Sequence, residues 1–489
     1  MPGIPDVLTP AAANGTGEFP PSARTAPAIS VVPAGELEGA VAGPVHAPGS
    51  AGYDLARRGY NLAVEHHPVV IVEAAGPADV MAAVGYAGRH GLPVAVLNTG
   101  HGASTAADGA VLIATRRMQG VRIDPYAAVA RIEAGVRWSR VIHEAAPFGL
   151  APLSGSAPEI GAIGYTLGGG LGLLGRAFGY AADHVRGIDL VTASGTLRTA
   201  TPQQYADLFW ALRGGKGNFG VVTSMEIGLF GVSRLFGGGL YLPGSSARAA
   251  LHAYRRWVRD VPDAMTSSVA LTRFPWDSEI PAPLRGRFSV HFRIAFNGSV
   301  AEGERLLAPL RRVDVPLLDT VGDMPYAAGG SIHNDPAAPL AVHERAVRLR
   351  ELDEDAVDAL IEVTGPDSTC PLRLVELRHL GGALSREPDV PNAVAGRDAA
   401  FQLYLAGVPG DFGGMPVEPV AQEVLDRMLP WTAGAASLNF LGTADATAER
   451  VRAAFSPAAY RRLVAAKRNY DPDNLFRFNH NIPPVPRIG

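Results

Sequence analysis

Cysteine is almost missing from this sequence: Cys370 stands alone among 489 residues. One thiol can form no internal disulfide, and it excludes cysteine-rich zinc and iron–sulfur sites. Such a composition suits a reducing compartment, so the cytoplasm is the expected location. Long apolar runs are also missing. No stretch of about 18 uninterrupted apolar residues occurs, and no membrane span is expected. Residues 1–32 lack the basic start and apolar run of a secretion signal and read as a flexible N-terminal tail. No block of Lys or Arg stands out, and 43 basic against 47 acidic residues leave a formal charge of −4. Nucleic acid and anionic membranes are therefore not expected as partners.

What is present describes a globular enzyme with a large core: 47% of residues are hydrophobic and only 18% charged. The length exceeds what one core normally organises, so two lobes are expected. Glycine (57) and proline (40) are spread along the chain, which argues for many turns and against one disordered tract. No internal repeat is found.

Residues 33–231 alternate short β-rich runs with helical patterns. A strand at 69–73 (VVIVE) precedes a helix from about 77 to 90, with proline at its start and Gly91 just past its end. The next strand, 93–97 (PVAVL), runs directly into NTGHGAS. Further strands are expected at 111–114, 129–134, 185–192 and 221–227. Between them lies the segment 155–179, GSAPEIGAIGYTLGGGLGLLGRAFG. Each glycine costs about 1 kcal/mol in a helix interior, so this run is not expected to be an ordinary helix or strand. It is either a loose surface loop or, since its other residues include Ile160, Ile163, Leu167 and Leu171, a buried loop covering a ligand. From 232 to 440 the pattern changes. Strands at 287–296, 372–380 and 400–406, with helices at 303–311 and 353–363, suggest an antiparallel sheet covered by helices.

Three ordered segments resemble the FAD-linked oxidases of the vanillyl-alcohol oxidase superfamily, in its berberine-bridge-enzyme-like branch. They are PVAVLNTGHGAS (93–104), PEIGAIGYTLGGGLG (158–172) with DLFWALRGGKGNFGVVT (207–223), and YDPDNLFRFNHNI (470–482). The resemblance spans roughly residues 35–489. It implies an α+β fold with a two-lobed FAD-binding domain of the PCMH type and a substrate domain built on an antiparallel sheet. The expected division is a tail (1–32), FAD-binding domain (33–231), substrate-binding domain (232–440), and a segment (441–489) that returns to the FAD domain.

The resemblance places FAD contacts at Asn98, Thr99, Gly100, His101, Gly102 and Ala103. The loop supplies backbone N–H groups with little side-chain bulk, as a pyrophosphate requires, and it does not match the G-x-G-x-x-G pattern of a Rossmann fold. It implies further contacts at Ala157, Ile160, Gly161, Gly164, Tyr165, Gly169 and Gly170. Others fall at Asn218, Gly220, Val221, Asn439 and Asn479, with Asn481 a further candidate. The family histidine at the place of His101 carries a covalent bond to the flavin. Many relatives add a cysteine in a C-P-x-V-G loop; Ala157 stands there, so a single link is expected. Cys370 reads as an inert core residue.

In this family the flavin takes a hydride and a side chain takes a proton. The usual base is the last tyrosine of Y-x-N-Y, but this chain has Ser437, Asn439 and Phe440 in that segment. Replacement candidates are Tyr404 in FQLYLAG and Glu376 and His379 in LVELRHL, a strand that puts Glu376 and Arg378 on one face and His379 on the other. The segment 331–336 (SIHNDP) is either a lid carrying His333 or a turn. The expected function is a hydride-abstracting oxidase of a small organic alcohol or amine with oxygen as acceptor. Alternatives are a dehydrogenase with another acceptor, suggested by Ile160 where a bulky side chain hinders oxygen, and a flavin-bound non-redox cyclase, suggested by Phe440. The sequence carries no signal for an oligomeric state.

Overall fold

The computed structural model describes residues 35–484, so the expected N-terminal tail lies outside the described residues. The first element group is a four-stranded sheet ordered Val45–His46, Val70–Glu73, Val111–Ala114, Val94–Leu97. Its last three strands run parallel and are mostly buried, which is why they read as continuous apolar runs. Helix Pro77–Arg89 makes the crossover, with proline in its first turn. A five-stranded antiparallel sheet follows, ordered Val121–Asp124, Val129–Glu133, Val221–Gly228, Val185–Val191, Leu197–Ala200.

The remaining sheet has nine antiparallel strands and dominates residues 234–435. Its central strands are Phe288–Phe296, Met265–Arg273, Leu374–His379, Phe401–Gly407 and His343–Leu349. Strand pleating sends alternate side chains to opposite faces. Val290, Phe292, Ile294, Val375, Leu377 and Leu403 go into an apolar core shared with helices Ala247–Trp257, Glu354–Thr364 and Val417–Arg427. The other face carries His291, Arg293, Ser268, Glu376, Gln402 and Tyr404, and all but Tyr404 are buried. The sheet is greasy toward its helices and charged toward the rest of the molecule.

Strands Arg234–Pro243, Met265–Arg273 and His343–Leu349 were not expected from the sequence. The first holds three consecutive glycines and the last carries charge at alternate and adjacent positions, so neither shows a period-2 apolar pattern. The glycine-rich segment contains a six-residue helix, Ala162–Leu167, contrary to the expectation that no ordinary helix forms there. Burial of Ala162, Ile163, Thr166 and Leu167 outweighs the cost of its single internal glycine, Gly164.

The C-terminal helix Pro457–Tyr470 opens with Ser456 capping the N–H of Ala459 and packs on helix Ala206–Leu212. Beyond it, the carbonyl of Leu475 accepts from Val94 N–H at 2.9 Å, and Ile482 N–H donates to Asn218 Oδ1 at 2.9 Å. A fully buried ion pair anchors this turn: Lys467 Nζ donates to Asp471 at 2.6 Å, to Asn218 O at 2.8 Å and to Phe476 O at 3.0 Å. Asp471 in turn accepts from the N–H groups of Leu475 and Phe476. Removing one partner of such a pair strands the other charge. Lys467→Met is expected to cost about 3–5 kcal/mol of stability, read as a lowered urea midpoint at unchanged slope.

Candidate functional site

Strand Val94–Leu97 ends in a loop that doubles back tightly. Gly100 sits at φ +76°, and a Cβ there would stand 2.6 Å from Gly59 Cα, so only glycine fits this close backbone approach. Arg116 fixes the loop from outside, donating to the carbonyls of Asn98 (3.0 Å), Leu55 (3.4 Å) and Arg58. The imidazole of His101 stacks on Tyr60 with centroids 3.8 Å apart, and its Nδ1 lies 2.9 Å from Thr99 Oγ1. Burial, then the nearby Arg137 charge, push the His101 pKa down to about 4, so the ring is neutral at physiological pH. The main-chain N–H groups of His101, Gly102 and Ser104 donate to no protein acceptor among the described residues.

These groups face a cavity of about 460 Å³. Ala157, Ile160, Gly161, Gly164 and Tyr165 form a second wall. Gly161 presses on Asn98, where a Cβ would meet Nδ2 at 2.6 Å, whereas a Cβ on Gly164 would meet nothing within 4 Å. Gly220 and Val221 contribute from the strand that follows GGKGNF, and Asn479 and His480 from the tail. Asn439 holds the parts together, donating from Nδ2 to the Tyr165 carbonyl at 2.7 Å.

A third wall comes from the charged face of the nine-stranded sheet. Tyr404 donates from its hydroxyl to Glu344, and both line the cavity. Burial, then Glu344, hold the Tyr404 pKa well above its ordinary value. Burial raises the Glu344 pKa as well, and the Tyr404 hydrogen bond and Lys216 only partly oppose it. The Tyr404 ring meets Phe440 edge-on at 5.8 Å, and the Arg378 guanidinium lies 5.9 Å and 5.1 Å from the two ring centroids.

Of the expected residues, Asn98, Thr99, Gly100, His101, Gly102 and Ala103 all line this cavity, as do the second-wall residues, Gly220, Val221, Asn439, Asn479 and Tyr404. Gly169 and Gly170 do not. Their carbonyls accept from Ala182 and Ala181, and a Cβ on Gly170 would strike the Tyr165 ring at 2.6 Å, so they shape the turn behind the wall. Asn218 is fully buried and clamps the tail, donating to Gly215 O at 2.8 Å and His480 O at 3.0 Å. Asn481 does not line the cavity either.

Two catalytic candidates are also corrected. Glu376 is inaccessible, sitting between Arg293 at 2.8 Å and Arg378 at 2.9 Å, with Ser268 Oγ donating at 2.6 Å. Burial alone would raise its pKa, but the two guanidiniums and His333 hold it well below the carboxylate range. His379 meets Arg176 Nη1 at 3.1 Å and stacks on Phe401, and burial and Arg176 push its pKa down to about 3. His333 turns inward, with Nε2 3.5 Å from Glu376. It is Asp335 and Pro336 of that segment that reach the cavity, with Ser156 Oγ donating to Asp335 at 2.6 Å and Tyr60 donating to Pro336 O at 2.7 Å. Cys370 is a buried core residue. The sequence reading missed Glu344, Lys216 and Tyr60.

A neutral imidazole on a loop with free N–H groups, an open glycine cradle, and unpartnered polar atoms at His66, Ser104 and Asn479 in the cavity wall suit a dinucleotide such as FAD. Residues 68–201 match the FAD binding domain family, which makes this a flavin-dependent oxidoreductase fold. Residues 433–483 match the berberine and berberine-like family. The chain is 30% identical to (R)-6-hydroxynicotine oxidase of Paenarthrobacter nicotinovorans, over 91% of this chain and 97% of that one. It is 25% identical to chitooligosaccharide oxidase of Gibberella zeae over 90% and 92% of the two chains. The crystal structure of 6-hydroxy-D-nicotine oxidase from Arthrobacter nicotinovorans superposes with a TM-score of 0.77 at 26% identity, covering 91% of this chain and 98% of that one. This chain belongs to the berberine-bridge-enzyme-like family of FAD-linked oxidoreductases.

Glu376 acts as a structural counter-charge, and this sets a test. Glu376→Gln leaves Arg293 and Arg378 facing each other and is expected to cost about 3–5 kcal/mol at neutral pH. Because the folded-state pKa is depressed, the wild-type contribution is complete above the unfolded value of about 4.3 and fades as pH falls through the folded value. Urea titrations of the two proteins should therefore converge in acid.

Proposed function

We propose that this protein is an oxidase that takes a hydride from a carbon bearing a hydroxyl or amino group in a small organic substrate, with FAD held by one covalent bond to His101 and oxygen as acceptor. The observation that carries this reading is the Tyr404–Glu344 pair, placed in the same cavity as the His101 loop. FAD, when bound, would supply the hydride-accepting and oxygen-reducing chemistry. The neutral His101 ring, whose Nε2 makes no hydrogen bond to the protein, has the free lone pair that such a link needs. Ala157 leaves no second point of attachment.

Tyr404 is protonated and donates to Glu344, so the pair works as a relay. The substrate O–H or N–H proton passes to Tyr404 Oη as the Tyr404 proton passes to Glu344, and the carbon releases its hydride. A buried carboxylate with a raised pKa accepts that proton more readily than an exposed one. The Arg378 guanidinium over the Tyr404 ring favours negative charge on the phenol oxygen in transit. Tyr404 stands against Phe440, so a phenol is available beside the position where the family tyrosine is absent, which removes the motive for a non-redox cyclase. The relatives named as oxidases of a hydroxynicotine and of a chitooligosaccharide support the oxidase reading for either an amine or an alcohol. Ile160 in the cavity wall favours a second reading, a dehydrogenase with another acceptor. A chain with one cysteine keeps the cytoplasm as the proposed location.

Acid-denatured protein is expected to keep its yellow chromophore and a mass increase of one FAD. His101→Ala should release all flavin on denaturation, and release from the unmodified protein would refute the covalent link. Tyr404→Phe is expected to slow anaerobic flavin bleaching by substrate about 10²–10⁴-fold while keeping the mass increase of one FAD. Mixing bleached enzyme with air then decides the acceptor: rapid return of colour supports the oxidase, and return only with an added quinone supports the dehydrogenase.

A further inference from the structure

Lys216 is not used by the relay described above. Its backbone is left-handed, at φ +55°, between two glycines that would adopt that conformation at no cost. Strain of this kind persists only where the surroundings impose it, and it concentrates at functional sites. Its side chain lines the FAD cavity, and among the described residues its hydrogen-bond partner is a single one, His480 Nδ1 at 3.5 Å. His480 Nε2 lies 2.9 Å from the Leu441 carbonyl oxygen, so Nε2 carries the proton and Nδ1 turns its lone pair to the ammonium. The remaining N–H groups of Lys216 are free for the cavity.

The position within the cavity is informative. Nζ lies 3.6 Å from where a Cβ on Gly102 would stand, next to His101. Cε lies 3.0 Å from the corresponding point on Gly168, whose nearest neighbour is Asn439 Oδ1. Lys216 also interacts across the cavity with Glu344. It thus lies between the loop of His101, the residue proposed to carry the flavin, and Glu344 of the proposed relay. Burial draws its pKa down to about 8, with Glu344 opposing, which leaves it mainly charged at pH 7.

We propose that Lys216 is the counter-charge of the FAD ring system, its ammonium offsetting the negative charge that the ring gains with a hydride. This rests on the oxidoreductase reading and adds a charge balance to it. Asp335, Arg373 and Arg378 also line the cavity and keep their state, so the two charges that enter the balance are the Lys216 ammonium and the Glu344 carboxylate. A hydride brings two electrons and one proton to the ring, adding one negative charge, while the substrate proton neutralises Glu344. The total is conserved, and the partner of Lys216 changes from Glu344 to the ring. His101 stays neutral throughout, and Arg378 remains paired with Glu376.

The test compares holoenzymes of Lys216→Met, Lys216→Gly and Lys216→Arg with the unmodified protein. Two readouts need no substrate: the flavin midpoint potential by dye equilibration, and the dissociation constant of sulfite, which adds to oxidised flavin and leaves it anionic. Met and Gly should weaken sulfite binding about tenfold and lower the midpoint by about 30 mV, the equivalent for a two-electron couple. Arg should retain most of both. Lys216→Gly also relieves the backbone strain, so its thermal unfolding should be unchanged or raised while the potential falls, which a merely structural lysine would not show. Unchanged potential and sulfite affinity in flavin-loaded Met and Gly variants overturn the inference and leave the oxidase reading standing. Weaker FAD retention at constant potential overturns it too, assigning the ammonium to the pyrophosphate. A protein that takes up no FAD overturns both.

Discussion

Charge on the inner face of the nine-stranded sheet has little access to water, and the rest of the site follows from how that charge is paired. The opposite face is committed mainly to the helices, and Ser268, Arg293, Glu376 and Arg378 all point to the inner side. Isolated buried charge is unfavourable by several kcal/mol per ion. Glu376 answers this by lying between Arg293 and Arg378 and accepting from Ser268. The pairing also aims Arg378. Its Nε is fixed by Glu376 behind, which leaves the guanidinium plane over Tyr404 and Phe440 at the cavity. A stability device at the back of the strand thus sets the electrostatics at its front.

The same face explains how the chain tolerates Phe440. In the proposed mechanism the phenol absent at Phe440 is supplied by Tyr404, on the strand next to Leu374–His379. Tyr404 is directly opposite Glu376 in register and one pleat from Glu344 across the neighbouring strand, since Ala346 faces Tyr404. Residues two apart on paired strands share a face, so a hydroxyl and a carboxylate on these positions meet without any loop to place them. Rigid strands hold such a pair more closely than a tail could.

This geometry also shows what was legible in the sequence. FQLYLAG alternates clearly, and Tyr404 follows from that alternation. HERAVRL does not, because Arg345 and Glu344 are adjacent charges on opposite faces: buried Arg345 pairs with Glu418 and Asp445, half-buried Glu344 with Tyr404. A period-2 reading needs one apolar face, and here both hold charge. LVELRHL was assigned the correct faces, yet neither Glu376 nor His379 reaches the cavity. Pleating tells which side a residue takes; how deep it lies along the strand depends on neighbours that only the fold supplies. The NTGHGAS loop was legible because free N–H groups and missing side chains are properties of the local chain. Lys216 was hidden because a lysine between glycines shows neither its φ nor its burial.

That lysine's strained backbone is held by an interaction far from the chemistry. Every residue beside it is pinned: Gly215 O and His480 O accept from Asn218, Gly217 O accepts from Asn479 at 3.3 Å, and Asn218 O accepts from Lys467. Lys467 is itself locked by Asp471 and Phe476 O. A left-handed non-glycine residue costs on the order of 1 kcal/mol, well below the roughly 3–5 kcal/mol that breaking the buried Lys467–Asp471 pair would cost. The tail can therefore impose the conformation on Lys216 without strain spreading elsewhere. It also delivers His480, the imidazole that orients the ammonium. One buried ion pair at the end of the last helix underlies three features: the return of the tail to the first sheet, the shape of the GGKGNF turn, and the direction of the Lys216 side chain.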